Sequence, residues 1–409
     1  MASTLHVTQS VNGAIDFNFG EMFSSLTGFL SMISSEVQKQ TPIFSGGVAE
    51  DLKAKILSNT INGATVFVLR INGADGANTL SITASTSGLF EDTTHTDNIS
   101  TTNKLNHKIT PSGSSGSMVI ASVSISFAAT TNTAQLLTTS KDADYTVAAS
   151  TQYYPINGGG VSDNLTEDNV EFVFQSGGTL RNGAVYISSN TSAVTTTYRS
   201  RIDGANGNLA IAVTAAATGL VQDTSNTDTI AAGNTVNWSA SSAADAGDVS
   251  GKLLSAEFIT TDTSWQSISG IQGGSGLSQA AGLTRYYIIG TNVTNPFTTE
   301  TDAQTKTPFS FTASNLQIFI TANAGTTNGS ITLMEGGAET GLTASITALT
   351  TGLFVDNSNT YAVAADDLLS MRIVSGATAA TVFSMFGFKA RNSSATSLVI
   401  SSTTLLGCG

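Results

Sequence analysis

A thirty-residue motif occurs three times in this sequence and constrains its fold more than any other feature. The copies read RINGADGANTLSITASTSGLFEDTTHTDNI at residues 70–99, RIDGANGNLAIAVTAAATGLVQDTSNTDTI at 201–230 and MEGGAETGLTASITALTTGLFVDNSNTYAV at 334–363. Each copy keeps a glycine, a second glycine fifteen residues later and an aspartate four residues after that; these residues are Gly73, Gly88 and Asp92, then Gly204, Gly219 and Asp223, then Gly337, Gly352 and Asp356. The second glycines are 131 and then 133 residues apart. Such constant spacing predicts one domain present in three tandem copies.

The spacing also predicts where the domains lie. A chain of 409 residues divides into repeats of about 130 residues, and a domain of that size can bury a hydrophobic core. We predict domains at residues 41–150, 151–283 and 284–392. An N-terminal arm, residues 1–40, would precede them, and a tail, residues 393–409, would follow.

The composition and the local pattern both favour strands. Charged residues make up only 11% of the chain, and the apolar residues alternate with polar ones in short runs such as TVFVLRI at 65–71. Asn-Gly pairs at 62–63 and 72–73 are typical of tight hairpins, because both residue types tolerate positive φ. Short strands separated by Gly, Asn, Asp and Ser predict an all-β chain of three antiparallel β-sandwich domains of the jelly-roll type.

The N-terminal arm has a different pattern. Its apolar residues recur every three or four positions, which predicts an amphipathic helix over about 20–38; they are Phe19, Met22, Phe23, Leu26, Phe29, Leu30, Ile33 and Val37. This face would dock on a partner subunit or pack on the first domain. Under the docking interpretation, deleting residues 1–40 should leave a folded β-protein that no longer associates with its partner. In the tail, residues 397–400 resemble a strand that would extend a neighbouring sheet or stay frayed.

Several motifs together resemble a known group of proteins. Their order is Tyr-Tyr-Pro-x-x-Gly-Gly from residue 153, Thr-Glu at 166–167, a short apolar strand, Arg-Ile-(Asn/Asp)-Gly, and Thr-Gly-Leu-(Phe/Val)-x-Asp. This order resembles jelly-roll modules in virion structural proteins of tailed bacteriophages, which are similar in outline to the C1q/tumour-necrosis-factor fold. The resemblance covers about 41–392 and is clearest in the second repeat. The first repeat lacks the Tyr-Tyr pair, and the third has Met-Glu-Gly-Gly for Arg-Ile-Asn-Gly.

The resemblance implies a trimer-forming module used in capsid decoration, fibres or spikes. If single modules pack around a threefold axis, three fused modules can form that trimer within one chain, as an intrachain pseudo-trimer. An open string of domains and a homotrimer of whole chains are the alternatives.

We find no convincing catalytic, metal or cofactor site in the sequence. Of the histidines His6, His95 and His107, only His95 stands among acidic and hydroxyl residues, and the other repeats have Asn226 and Asn359 at its position. The repeated aspartates, Asp92, Asp223 and Asp356, would bind Ca²⁺ or accept backbone N–H bonds in turns; without a DxDxDG spacing the turn is favoured. The glycine clusters lack the lysine of a phosphate-binding loop. We therefore predict a non-enzymatic protein without a cofactor.

Six aromatic residues allow two interpretations. A sugar-binding surface and ordinary core packing both use such residues, and packing is the commoner use. The six are Tyr153, Tyr154, Trp238, Trp265, Tyr286 and Tyr287. The single cysteine, Cys408, cannot form an internal disulfide.

Charge and targeting signals narrow the class of protein. A net charge of −13 disfavours contact with nucleic-acid phosphates. No secretion signal or run of eighteen apolar residues is present, so we expect a soluble chain assembled in a host cytoplasm. The leading function is a phage capsid decoration or cement protein on the outer shell, and the alternative is a receptor-binding fibre or spike that recognises host glycan. The expected partners are the major capsid protein or other virion subunits, with self-association around a threefold or quasi-threefold axis, and neither nucleic acid nor membrane.

Overall fold

The fold was analysed in a computed structural model. The described residues are 2–9, 14–16, 21–26, 28–29, 34–129, 134–147, 150–158, 166–242, 247–261, 264–270, 276–289, 296–391 and 398–403. Most of them lie in strands, whose mainly antiparallel sheets group into three sandwiches.

Residues 2–129 contribute eleven described strands to the first sandwich. They are β1 (Ala2–Gln9), β2 (Ala14–Asp16), β3 (Met22–Ser25), β4 (Gly28–Phe29), β5 (Thr41–Pro42), β6 (Gly47–Asn59), β7 (Thr65–Ile71), β8 (Ala74–Ile82), β9 (Gly88–Ile99), β10 (Lys104–Pro111) and β11 (Ser117–Ala129). One sheet has the order β1-β11-β6-β9, and the other has the order β3-β10-β7-β8. A 3₁₀ turn, Glu36–Gln38, lies between β4 and β5.

The second sandwich repeats this plan. Its strands are β12 (Ala134–Val147), β13 (Gln152–Pro155), β14 (Phe172–Val173), β15 (Gly178–Asn190), β16 (Thr196–Ile202), β17 (Ala205–Val213), β18 (Gly219–Ile230), β19 (Thr235–Ser242) and β20 (Val249–Thr260). The sheet orders are β12-β20-β15-β18 and β13-β19-β16-β17. The corresponding 3₁₀ turn is Glu167–Asn169.

The third sandwich follows the same order of strands. They are β21 (Ser264–Gly270), β22 (Leu277–Gln279), β23 (Thr284–Tyr287), β24 (Thr305–Lys306), β25 (Phe311–Asn323), β26 (Gly329–Glu335), β27 (Ala338–Ile346), β28 (Gly352–Val363), β29 (Leu368–Val374) and β30 (Thr381–Arg391). Its sheets are β21-β30-β25-β28 and β23-β29-β26-β27, and a one-turn helix, α1 (Glu300–Ala303), replaces the 3₁₀ turn. In every sandwich the first, last, third and sixth principal strands form one sheet. This is the jelly-roll topology, so the predicted fold class of three tandem jelly rolls is confirmed.

The predicted N-terminal helix is wrong. Met22–Ser25 form strand β3, which pairs antiparallel with β10, and Gly28–Phe29 form β4. All four residues of β3 are buried, so the segment lacks the alternation that would have marked it as a strand. A short apolar run of this kind does not separate strand from helix, and the glycines and serines around it are poor helix formers.

Sheet pairing also shifts the limits of the repeats. The predicted arm supplies β1 and β3 to the two sheets of the first sandwich, β12 precedes residue 151, and β21 precedes residue 284. The chain is therefore grouped as 2–129, 134–260 and 264–391. Deleting residues 1–40 would remove the four sheet strands β1 to β4 and core residues Met22 and Leu26, so that deletion is expected to unfold the first sandwich.

The tail returns to the start of the chain. Strand β31 (Leu398–Thr403) lies parallel to β1, with Leu5 opposite Ile400. The described part of the predicted strand-like run, residues 398–400, thus extends the sheet of the first sandwich.

Candidate assembly surfaces

The first and second sandwiches meet around a buried carboxylate. Glu257 on β20 is only 3% exposed. Its Oε2 accepts bonds from Arg181 Nε at 2.8 Å and from Asn182 Nδ2 at 2.9 Å, and its Oε1 accepts one from Ser45 Oγ of the first sandwich. Three donors offset the loss of hydration that burial of this charge entails. Beside it lies a cleft of about 230 Å³, lined from the first sandwich by 42–44 and 101–104 and from the second by Leu220, Gln222 and Thr224.

The second and third sandwiches meet through neutral amides. Gln175 Nε2 donates to the carbonyl of Asn315 at 2.6 Å, and Gln317 Nε2 donates to the carbonyl of Val173 at 3.0 Å. Met385 and Phe319 of the third sandwich also pack against the hydrophobic core of the second. This seam is therefore apolar at its centre, and its hydrogen bonds are insensitive to pH.

The third and first sandwiches meet through an ion network. Lys306 Nζ lies 3.0 Å from Glu91 Oε2 of the first sandwich and 3.0 Å from Asp366 Oδ1 of its own. Hydrogen bonds to Glu91 and then Asp366 raise the pKa of Lys306. Nearby, burial is the main cause that raises the pKa of Asp51. Ala121 of the first sandwich packs into the core of the third.

The three seams use equivalent positions. Asp51, Asn182 and Asn315 occupy the same place in β6, β15 and β25, at a bulge where the register shifts and φ is +56°, +55° and +51°. One such residue lies at each seam. The contacts run from the first sandwich to the second, from the second to the third, and from the third back to the first. Each sandwich therefore touches both others.

The repeated aspartates accept backbone N–H bonds. Asp92 Oδ2 accepts from Thr79 N at 2.9 Å, and its Oδ1 accepts from Thr94 N at 3.2 Å and His95 N at 3.3 Å. Asp223 and Asp356 repeat this arrangement. These donors present hydrogen to the carboxylate, which is the wrong polarity for a Ca²⁺ site. No cluster of three metal-type side chains occurs among the described residues.

Hydrogen bonding controls the ionisation of these aspartates. Burial alone would raise the pKa of Asp223, but N–H bonds from Ala210, Asn226 and Ser225 outweigh it and lower the pKa to about 2. The pKa of Asp92 is lowered to about 2 in the same way, against burial, by Thr79, His95 and Thr94. That of Asp356 is also lowered, although burial opposes the change. All three carboxylates therefore stay ionised and hold the bend of β9, β18 and β28.

The repeated glycines mark turns. At the β7–β8 hairpin Asn72 and Gly73 have φ of +51° and +83°, and at the β16–β17 hairpin Asp203 and Gly204 have +49° and +73°. Two consecutive positive φ values match the hairpin turn that Asn-Gly predicts. Gly337 lies in the third hairpin, and Gly88, Gly219 and Gly352 open the strand that carries the aspartate, all with positive φ.

An arginine clamp was missed in the sequence. Arg70 makes two bonds to Glu36 of the 3₁₀ turn, from Nε at 2.8 Å and from a terminal nitrogen at 3.1 Å. Arg201 binds Glu167 at 2.8 Å through both nitrogens. Each guanidinium lies 5.8 Å from an aromatic ring, of Phe23 and Tyr153 respectively. The third sandwich has Met334 instead, and its Glu300 accepts from the backbone of Gly337 at 3.1 Å.

The clamp had a signal in the sequence. Glu36, Glu167 and Glu300 each stand 34 residues before Arg70, Arg201 and Met334. Extending the repeat alignment upstream of the first motif would have found them. The clamp fixes the connection before β5 and before β14 to the neighbouring hairpin, and the bond between Glu300 and the Gly337 backbone does the same before β24.

The two histidines with described side chains, His95 and His107, do not form a catalytic set. His95 Nδ1 lies 2.9 Å from Asp92, and Thr94 Oγ1 lies 3.2 Å from the same nitrogen. Within the described part of the chain no hydroxyl bonds to Nε2, as a nucleophile activated by this histidine would require. His107 is buried in the first sandwich, and burial lowers its pKa to about 4. His6 lies in β1, whose side chains are outside the described structure.

The structure places three of the six aromatic candidates in cores. Tyr154, Tyr287 and Trp238 are at most 1% exposed, so they cannot stack on a sugar. Tyr153 and Tyr286 are half-buried, and Trp265 lies in β21, whose side chains are not described. Core packing therefore accounts for three of the six residues.

The residues predicted to dock on a partner lie in different environments. Met22 and Leu26 belong to the core of the first sandwich, and Phe23 lies under Arg70. These three side chains contact the chain's own domain and are not free to dock. Val37 in the 3₁₀ turn is 53% exposed. Phe29 lies in β4 without a described side chain, and Phe19, Leu30 and Ile33 lie outside the described residues.

Comparison with known proteins adds a likeness in structure. No family model matches the chain, and no curated protein matches it. The chain is similar to a solved structure described as "The Triple Jelly Roll Fold and Turret Assembly in an Archaeal Virus", at 10% identity and a TM-score of 0.19, over 93% of this chain and 86% of that one. An overlay this loose supports no argument about function. Among the described helices, none has the length and apolar character needed to cross a bilayer.

Proposed function

We propose that this chain is a non-enzymatic structural subunit of a virus particle, and specifically a decoration or cement protein on the outer capsid shell. The observation that carries the proposal is the cyclic contact of three jelly rolls within one chain. A single chain thereby presents three similar lobes around a common centre. Such an object fits a threefold or quasi-threefold position of a shell without needing three separate chains.

The surface chemistry supports a packing role. The chain carries few charges for its length, at 11%, so contact with neighbouring subunits requires little desolvation of ions. Its net charge of −13 suits an outward position better than one facing the packaged nucleic acid. The partners that we propose for this chain are the major capsid protein or other virion subunits.

The contacts of the repeated polar groups support a non-enzymatic role. Each repeated polar group that the sequence singled out has a structural partner: the aspartates hold backbone amides, and the arginines clamp a turn. The aromatic residues give less support to a glycan-binding spike, because Tyr154, Tyr287 and Trp238 are buried. The spike remains the alternative to decoration, without those three residues as its binding surface.

Location and copy number test the proposal. Particles that contain this chain would be imaged by cryo-electron microscopy, and its copies counted by quantitative mass spectrometry. Decoration predicts about one three-lobed density per threefold or local threefold position on the head. A few copies confined to the tail would support the spike, and absence from purified particles would overturn both.

Solution mass provides a second test. If the three sandwiches of one chain take the place of a trimer of separate chains, the dilute protein should behave as a monomer of 41.8 kDa by light scattering. A stable homotrimer at dilute concentration would show that the threefold unit is made of whole chains, and would refute the single-chain version.

A further inference from the structure

The C-terminal strand occupies an unusual place in the fold. Among the described strands, the only parallel pairs are those of β1 with β31 and of β1 with β4. In β31, Leu398 lies opposite Ser3 and Ser402 lies opposite Val7. The edge of the first sandwich is therefore completed by a segment that is almost four hundred residues away in the sequence.

The strand also lies where the three sandwiches come together. Besides β1, it runs beside β12 and β21, which are the equivalent first strands of the second and third sandwiches. Among the described strands β12 pairs only with β20, apart from an isolated bridge between Thr139 and Gly158, and β21 pairs only with β30. Three sheet edges thus converge on one six-residue segment. An uncovered edge of this kind accepts strands from other chains unless something occupies it.

The energetics make β31 replaceable. Ordering six residues costs conformational entropy, which opposes pairing. The backbone hydrogen bonds made at the edge offset that cost. These contributions nearly cancel, so the strand detaches far more easily than a central strand such as β6 or β11.

We propose that the outer edge of β1 is a strand-accepting site, and that in assembled copies it holds the C-terminal strand of a second copy of this chain. A second copy supplies the same sequence in the same register, so the exchanged strand makes the same contacts. The entropic disadvantage of using another chain disappears when copies are held side by side. This proposal rests on the proposed function only because assembly on a particle would hold the copies side by side.

The length of the connection limits which copies can exchange. The six residues between Arg391 and Leu398 reach at most about 25 Å when extended. The accepting β1 must therefore lie within about that distance of the donor's Arg391. Exchange would link only copies in direct contact, which is the link that a cement layer requires.

Disulfide trapping in the full-length chain tests the proposal. Leu5→Cys and Ile400→Cys would be made as separate variants, both with Cys408→Ser to remove the native thiol. The two variants are mixed at high concentration, oxidised and analysed on a non-reducing gel. Because Leu5 is opposite Ile400, a disulfide between them traps a tail on the β1 edge of another copy. We expect crosslinked dimer at least about ten-fold above either variant oxidised alone, increasing with concentration.

Two controls make every outcome decisive. Val399→Pro in the Ile400→Cys chain removes a ladder donor and should abolish the trapped dimer, while circular dichroism checks that the sandwiches remain folded. The double variant Leu5→Cys/Ile400→Cys reports pairing within one chain at low concentration. If it closes within one chain at every concentration and the mixture stays at background, exchange is refuted. If neither preparation crosslinks, the strand-accepting site itself is refuted. Neither result depends on where the protein sits on a particle.

Discussion

The first and second sandwiches share a topology but fill one layer of their cores differently. His107 on β10 and Trp238 on β19 occupy the same position, and both are buried. Their partners on the neighbouring strand are Ser24 and Tyr154. The second sandwich thus places two large aromatic side chains where the first has an imidazole and a hydroxyl.

This difference shows what the fold requires and what it tolerates. The turn glycines, the aspartates and the arginine clamp are the same in both sandwiches, because backbone conformation depends on them. The core layer varies, because a jelly roll needs filled volume and not a particular residue. The first sandwich buries less apolar area at this layer, and its hydroxyl and imidazole gain less from burial. We therefore expect the first sandwich to be the less stable of the two.

The largest expected effect comes from removing the aromatic layer. Trp238→Ala should destabilise the second sandwich by about 3–5 kcal/mol, since it leaves a large cavity in a rigid core. The matched change His107→Ala should have a clearly smaller effect on the first. Hydrogen exchange with mass spectrometry can follow each sandwich separately. Equal losses of protection in the two variants would contradict the comparison.

Acid should unfold the first sandwich before the second. Burial holds the pKa of His107 at about 4, below the 6.5 of an exposed histidine. The unfolded state therefore binds a proton more readily, so the stabilisation present above pH 6.5 is lost as the pH falls towards 4. The loss is on the order of 3 kcal/mol.

The measurement is exchange protection of β10 compared with β19 between pH 7 and pH 4.5. Protection should fall in β10 and hold in β19. His107→Leu, which cannot be protonated, should remove the difference. Unchanged protection of β10 at pH 4.5 would show that the imidazole is not a weak point.

The repeated aspartates should affect both sandwiches equally. Asp223→Asn and Asp92→Asn each replace an ionised acceptor of N–H bonds, and each should lower the free energy of unfolding of its sandwich by about 1–3 kcal/mol. Because the pKa of both carboxylates is lowered to about 2, their stabilisation is present above about pH 4 and is lost as the pH falls towards 2. Chemical denaturation at pH 7 and pH 2.5 measures this. A loss in only one sandwich would show that the bend is not equivalent.

The sequence predicted what depends on local backbone chemistry. Gly73 and Gly204 marked their hairpins because few other residues adopt positive φ, and alternation identified β7. The spacing of these turns then fixed three copies of one fold. Glu36 and Glu167 were equally predictable from their distance to Arg70 and Arg201, had the alignment been extended upstream.

What could not be predicted depends on contacts between distant segments. Strand β3 was taken for a helix because it is covered on both faces, by the core on one side and by the clamp on the other. The strands β1, β12 and β21 carry no shared motif, so only their pairing with β11, β20 and β30 assigns them to a sandwich. Glu257 and Lys306 each have one partner in another sandwich, Ser45 and Glu91 respectively, and no local pattern encodes such contacts.

The smallest expected effect concerns the seams on either side of the first sandwich. Lys306 and Glu91 are 22% and 24% exposed, so their ion pair is partly screened by water and salt. Lys306→Met should lower the free energy of unfolding by less than about 1 kcal/mol at low salt, and by almost nothing in 1 M NaCl. Glu257→Gln, at the buried seam with the second sandwich, should have a larger effect that salt does not remove, because Glu257 is shielded from solvent. Thermal unfolding of both variants at two salt concentrations makes the comparison. If Lys306→Met has the larger effect, the ion network holds the ring of sandwiches closed, and the buried carboxylate is secondary to it.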